Sequence, residues 1–592
     1  MTTPEDLLAL TEAELLAMDH DPDACGGLDR RQFMLMSLVS AAATTFGLAG
    51  TSRAQGGGAL QAPQAPPLPL GNGEAPALQF MPYPGGTGAL MEQLARERGR
   101  AAFDRTPFQV EKWSGAVPTS PDDICFLPAH RLSALIRARR ITSVQLTRLY
   151  LDRLTRLNPT LLCAVTIMET QALAEAARMD AELAAGRYRG PLHGLPYGVK
   201  DLFSTKGVPT TWGAKDFEHR IIDEDAEVVV RLRDAGAVLI AKLSTGLFAQ
   251  NDQWFRGRTN NPWNLVQGSS GSSAGPGSAT AAGCVAFSIG TETQGSIVSP
   301  SIRNGISALR PTFGRVSRHG GMTLAWSMDR VGPMCRTVED CAMVFSVIHG
   351  VDTRDPSTVT TPFQFDRRIR LASLRVGVDP NAPKELVETL RTLGLEPREI
   401  GPRPTVPGSG SGLGVEGAAA FDEYVQRKAK EIGLDLTTLP EPRPAGTGGA
   451  GPGAGGGGAP ANPMAPADWN PRFVNGRMVR GLDFVQQQRR RYALVAKWAD
   501  FMKDLDMFIA APTADIGANA QTGHPCVVVP YKFDVPAQPQ GGGGAPPAQR
   551  LELKPQPICA TIVGALYADD RILSVAHQFQ AATDIHRRRP SL

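Results

Sequence analysis

The residues of this chain best suited to bond chemistry are serine hydroxyls and one lysine. Residues 268–283 read Gly-Ser-Ser-Gly-Ser-Ser-Ala-Gly-Pro-Gly-Ser-Ala-Thr-Ala-Ala-Gly, and a second run, Phe287-Ser-Ile-Gly-Thr-Glu-Thr-Gln-Gly-Ser296-Ile-Val-Ser-Pro300, follows closely. Upstream stands Gly190-Pro-Leu-His-Gly-Leu-Pro-Tyr-Gly-Val-Lys200-Asp201. A serine hydroxyl is a weak nucleophile and needs a base within hydrogen-bond reach. No histidine is framed for that work, but a lysine can serve where burial and neighbouring donors disfavour its ammonium form. Lys200 closes the apolar run Leu195-Pro-Tyr-Gly-Val, where such desolvation is expected. Alone, the first run would be a small-residue loop entering a small-faced helix, and the lysine a surface residue at a strand end. Together they would suit a serine nucleophile with a lysine base.

The elements that must position these residues have the rhythm of an α/β protein. Thr142-Ser143 opens a helix whose apolar positions Leu146, Leu149, Tyr150 and Leu154 keep a helical period, and Asn158-Pro159 predicts its end. Residues 170–186 predict an Ala/Glu-rich helix stopped by Gly186. Asp225 to Ala235 predicts another, closed by Gly236, with Ala237–Ala241 as a buried strand after it. Cys284–Ile289 reads as a second apolar strand. Helices alternating with short apolar runs argue for a sheet covered by helices on both faces.

The three chemical blocks, in this order, resemble the amidase signature family. Leu309-Arg-Pro-Thr-Phe-Gly-Arg-Val-Ser317 extends the likeness, which runs from about Ser143 to Asp340, with a weaker echo at Gly523-His-Pro-Cys-Val-Val-Val-Pro530. The resemblance implies one large catalytic domain over 121–592, with a mixed central β-sheet. It implies that Ser296 is the nucleophile, that Ser272 relays a proton between Ser296 and Lys200, and that Ser273 supports the network. It also implies that Gly271 precedes the bridging serine through a cis peptide bond. Ser269 and Ser270 are rivals for the bridging role; the Gly-Ser-Ser-x-Gly frame at 271–275 and the spacing to Ser296 favour Ser272. Backbone N–H groups along Thr293, Gln294 and Gly295 would face the developing oxyanion. Gln294 stands where the commonest family pattern has glycine, and Ala274 and Pro276 also replace commoner residues. Asp329, in Ser327-Met-Asp-Arg-Val-Gly332, matches a family motif read as structural. Pocket walls in the family come from variable loops, for which the stretch around Phe248-Ala249-Gln250 and the C-terminal third are the candidates here.

The first 54 residues read as a targeting segment. Asp29-Arg30-Arg31-Gln32-Phe33 precedes a modestly apolar run to Ala49, and Ser52-Arg53-Ala54 suits cleavage, so the expectation is a twin-arginine export signal and a periplasmic or secreted product. The run is shorter and more polar than the roughly 20 apolar residues of a spanning helix. Residues 55–120 begin as a Gly/Pro/Ala-rich stretch and are expected to be a linker or surface wrap. Two more tracts, 440–467 and 536–549, are expected as insertions within the catalytic domain. A formal charge of +3 and no basic tract with interleaved aromatics argue against a nucleic-acid partner. Of eight cysteines, Cys25 lies in the leader; the other seven have irregular spacing and apolar neighbours, which predicts buried free thiols, with a Cys335–Cys341 bridge as the alternative. No metal-ligand spacing and no cofactor motif stand out among the nine histidines and the cysteines.

The sequence-level expectation is therefore an exported amidase that takes a small-molecule amide and needs no cofactor, its precursor handled by the twin-arginine machinery. A carbamate or ester hydrolase on the same residues, a glutamine-hydrolysing amidotransferase subunit, and a non-catalytic binding protein of the same fold are the alternatives.

Overall fold

The computed structural model describes residues 80–436, 471–513, 515–537 and 551–592. All of them belong to one compact unit, residues 66–592. The expected export segment, the expected insertion at 440–467 and residues 538–549 of the one expected at 536–549 lie outside the described residues.

One sheet organises the unit. Its eleven strands are β1 (Ala164–Ile167), β2 (Pro196–Lys200), β3 (Val238–Leu243), β4 (Phe287–Glu292), β5 (Ser307–Arg310), β6 (Arg330–Cys335), β7 (Val376–Val378), β8 (Arg398–Glu399), β9 (Met507–Ala510), β10 (Cys526–Asp534) and β11 (Gln556–Gly564). Their spatial order is β1-β3-β2-β4-β6-β5-β10-β11-β9-β7-β8. β2 runs parallel to both β3 and β4, whereas β6 is antiparallel to β4 and β5. The sheet is thus mixed.

Strand alternation sends neighbouring residues to opposite faces, and here it divides the apolar side chains between two cores. Val527, Val529, Met507 and Ile509 join one cluster; Cys526, Val528, Phe508 and Ala510 join the other. The first core is closed by helices α1 (Ser143–Leu161), α2 (Glu169–Ala184), α3 (Glu227–Asp234) and others. α4 (Ala274–Ala281) gives Ala279 to the first and Ala281 to the second, which is closed by α5 (Val298–Asn304) and α6 (Gly481–Met502), the latter bringing Leu494, Trp498 and Met502. Both faces are covered by helices.

Local rules account for most of these boundaries. Thr142 accepts the N–H of Gln145 at 3.0 Å while Gln145 accepts that of Thr142 at 2.9 Å, a reciprocal cap that starts α1. Gly186 and Gly236 follow α2 and α3 at φ 81° and 84°, left-handed values that glycine tolerates. Two expectations need correction. α1 continues past Pro159 to Leu161, because a proline in the last turn forgoes one N–H bond while the carbonyl of Asn158 still closes the helix on Leu162. The strand expected at Cys284–Ile289 begins at Phe287 instead, since Cys284 is tied to the carbonyl of Ala279 and still finishes α4. Within the expected linker, residues Gly86–Arg98 form a helix whose Leu90 and Leu94 pack with Leu566 and Tyr567.

The seven cysteines other than Cys25 are buried and unbridged, Cys335 and Cys341 included. Among the described residues no helix is long and apolar enough to cross a membrane.

Candidate active site

Lys200 is the last residue of β2, a strand with every residue buried between two parallel neighbours. Its side chain is fully buried, and Nζ reaches three acceptors: Ser272 Oγ at 2.9 Å, Thr291 Oγ1 at 2.8 Å and Thr291 O at 3.4 Å. None of the three is a carboxylate. Burial therefore holds the ammonium well below the usual lysine range; the charges of Asp329 and Glu292 pull the other way without offsetting it. A lysine that gives up its proton readily is thus placed on a serine hydroxyl.

The serine loop supplies the partner. The Gly271–Ser272 peptide bond is cis, and Ser272 is 1% exposed. Ser273 ties the loop to β4: its hydroxyl donates to the carbonyl of Thr291 at 3.0 Å and accepts the Thr291 N–H at 3.2 Å. Thr291 is thereby held where it meets Lys200. The N–H of Ser273 also donates to the carbonyl of Ser296 at 3.1 Å, joining the two serine blocks directly. Ser269 and Ser270 are turned to other work. The hydroxyl of Ser269 donates to the Ser270 carbonyl at 3.0 Å, and the N–H of Ser270 donates to Asp252 at 3.0 Å.

Ser296 stands at the turn from β4 into α5. Gly295 before it has φ 99°, in the region that favours glycine. Glu292 fixes the far side of the turn: one carboxylate oxygen accepts the N–H groups of Ile297 and Val298, both at 2.9 Å, and the other accepts from Arg310 at 3.0 Å. Burial pushes the Glu292 carboxyl up, but Arg310, Arg330 and those two N–H groups together leave it below its ordinary value. Thr293 donates its hydroxyl to Asp329 at 2.6 Å, and Asp329 also accepts the N–H groups of Leu324 and Ala325 at 2.8 and 2.9 Å. Asp329 thus pins the turn to the 322–329 loop.

Ser272, Ser296, Gly271, Thr293 and Gln294 line one cleft, with Gln294 exposed on its rim. The opposing wall includes part of the stretch around Phe248-Ala249-Gln250, expected from the sequence as a pocket wall. Ala249, Gln250 and Asn251 are there, and Phe248, Ala249 and Asn251 all have left-handed φ between 47° and 60°. Non-glycine residues held in that region cluster at functional sites. Leu324 and Leu413 close the cleft. Thr291, Asn251 and the Glu292–Arg310 pair have no role that the sequence alone reveals; Thr291 and Glu292 merely fall within the run that leads to Ser296. Among the described residues no group of three His, Cys, Asp or Glu side chains could hold a metal ion.

A cleft of two serines with a buried lysine behind them, on a mixed sheet with helices on both faces, has counterparts among known proteins. A family model described as Amidase matches residues 145–393. A glutamyl-tRNA(Gln) amidotransferase subunit of Methylococcus capsulatus is 33% identical over 508 residues, covering 78% of this chain and 98% of that protein. Putative amidase AmiD of Mycobacterium bovis is 42% identical over 274 residues, covering 45% of this chain and 57% of that protein. The peptide amidase of Stenotrophomonas maltophilia superposes with a TM-score of 0.60 at 26% identity, covering 78% of this chain and 98% of that one. This chain belongs to the amidase signature family and is a hydrolase of that class.

Proposed function

We propose that this protein is an exported amidase that cleaves a carboxylic amide through an acyl-enzyme on Ser296. The observation that carries the reading is the 2.9 Å contact between the fully buried Lys200 Nζ and Ser272 Oγ, in a cleft that Ser272 shares with Ser296. Ser296 Oγ attacks the amide carbonyl while its proton passes to Ser272, whose own proton passes to neutral Lys200. The carbonyl oxygen becomes an oxyanion, which the N–H groups of the Thr293–Ser296 turn are suited to receive. The C–N bond then breaks, and the leaving nitrogen takes the proton back through Ser272. Water deprotonated by the same relay attacks the ester, releasing the acid and restoring Ser296. Hydrolysis of aryl amides, peptide amides, carbamates and esters by purified protein tests this reading; no turnover of any amide would contradict it.

A second reading is favoured by the near full-length likeness to an amidotransferase component: hydrolysis of glutamine within a larger complex. Glutamine as the sole amide hydrolysed, and only with partner subunits present, would establish it. Export rests on Arg30-Arg31 and the apolar run after them. N-terminal sequencing of protein from the cell envelope should find a start near Gln55, dependent on both arginines; active cytosolic protein retaining Met1 would contradict export.

A further inference from the structure

Beside the serine cleft lies a larger chamber of about 1120 Å³, its open mouth included, and the two share Ala249, Thr293 and Leu324. The chamber's apolar wall is made by Leu202, Phe203, Met322, Leu324, Trp326 and Val331. All are buried except Trp326, which is 51% exposed at the mouth. A half-exposed tryptophan offers a large, rigid apolar face to whatever enters.

The ionisable side chains that reach this space are already engaged. Arg318 holds Asp355 through two contacts of 2.9 Å. Arg354 is paired with Asp352 at 3.1 Å and with Glu227, and His319 with Glu224. Arg330 donates to the backbone carbonyls of His524 and Asn519. Asp329 accepts its three donors from Thr293, Leu324 and Ala325. The serine cleft adds no charged side chain among the described residues; its side-chain polar groups are hydroxyls and the amides of Gln250, Asn251 and Gln294. A charged substituent there would lose hydration without gaining a free counter-ion, whereas an apolar one gains by leaving water.

We infer that the chamber receives an uncharged apolar substituent of the substrate, aryl or branched alkyl, and that the site disfavours amides with a charged group near the scissile bond, free glutamine included. This rests on the hydrolase reading of the serine cleft and adds the substrate class to it.

The test compares kcat/KM of the full chain across matched amides, with p-nitrophenyl acetate reporting on the serine chemistry itself. 3-Phenylpropanamide probes the acyl side and N-benzylacetamide the amine side, each against acetamide; at least one should exceed acetamide by about tenfold or more. Pentanamide should exceed glutamine, which adds an ammonium and a carboxylate to the same chain, by about a hundredfold. Trp326→Ala, at a half-exposed position, should shrink the aryl preference by about fivefold. Turnover of the ester and of acetamide, with no aryl preference or with glutamine equal to pentanamide, overturns the inference and leaves the hydrolase reading standing. No turnover of the ester or any amide overturns both.

Discussion

The backbone carbonyl oxygen of Asn251 lies 1.9 Å from the place where a Cβ on Gly271 would stand. The same carbonyl lies 2.0 Å from a Cβ built on Gly246, so it is seated between two glycines. Both neighbours are backbone, which cannot swing aside as a side chain can. The glycine before Ser272 is therefore required by packing against the opposite wall of the cleft.

Gly271→Ala should push the 271–272 backbone away from Asn251 and carry Ser272 off Lys200. We expect a stability loss of about 1–3 kcal/mol from overpacking. A fall in kcat on the order of a hundredfold is expected from misplacement of a relay group. Urea denaturation and steady-state kinetics on the purified variant measure the two effects; an alanine variant with wild-type kcat would show that the loop position is not critical.

The pH dependence follows from Lys200. Its ammonium is disfavoured by burial, and the proposed mechanism uses the neutral amine, so kcat/KM should rise with pH through the depressed lysine value and then level off. Lys200→Ala should cost a factor on the order of 10² to 10⁴. Lys200→Arg should not restore it, because a guanidinium keeps its proton. Asp329 favours the charged lysine, so Asp329→Asn should move the rising limb to lower pH. A wild-type optimum in acid, or an unmoved limb in Asp329→Asn, would contradict this assignment.

Much of this site is legible without the fold, because its chemistry sits in short runs with unusual local composition. The serine loop, the Lys200 block and the Ser296 turn each occupy adjacent residues, and α1 to α3 are marked by caps, period and terminal glycines. What escapes a linear reading depends on distant pairing. Thr291 meets Lys200 only because β4 lies parallel to β2, a register of Val199 on Ile289 that no local pattern encodes. Asn251 acts through its backbone carbonyl, which has no side-chain signature. Gly86–Arg98 is hidden by flanking Gly/Pro-rich sequence, although Leu90 and Leu94 are one helical turn apart. In the 318–331 wall of the chamber only the stretch from Ser327 onward falls in a motif, and the apolar face becomes visible once Leu202, Met322 and Trp326 stand around one space.

The buried Glu292–Arg310 pair makes a separate prediction about stability. Removing one partner of a buried pair leaves the other charge uncompensated, so Glu292→Gln should cost about 3–5 kcal/mol at pH 7. The Glu292 carboxyl is depressed in the folded state. Its contribution is therefore fully present above the unfolded glutamate value of about 4.3, and it is lost as pH falls through the lower folded value. The gap between wild type and variant should accordingly narrow below about pH 4. Urea melts across that range measure it; a gap that is constant or widens in acid would place the stabilisation elsewhere.

The central claim, that Ser296 bonds the substrate while Ser272 relays the proton, is tested most directly by locating a covalent adduct. Wild type, Ser272→Ala and Ser296→Ala would be treated with a fluorophosphonate and the labelled peptide identified by mass spectrometry. The account predicts rapid labelling of Ser296 in wild type, slow labelling of the same residue in Ser272→Ala, and none in Ser296→Ala. Because the residues act as one unit, the double variant should be barely slower in turnover than Ser296→Ala alone. An adduct on Ser272, or labelling that survives in Ser296→Ala, would contradict it.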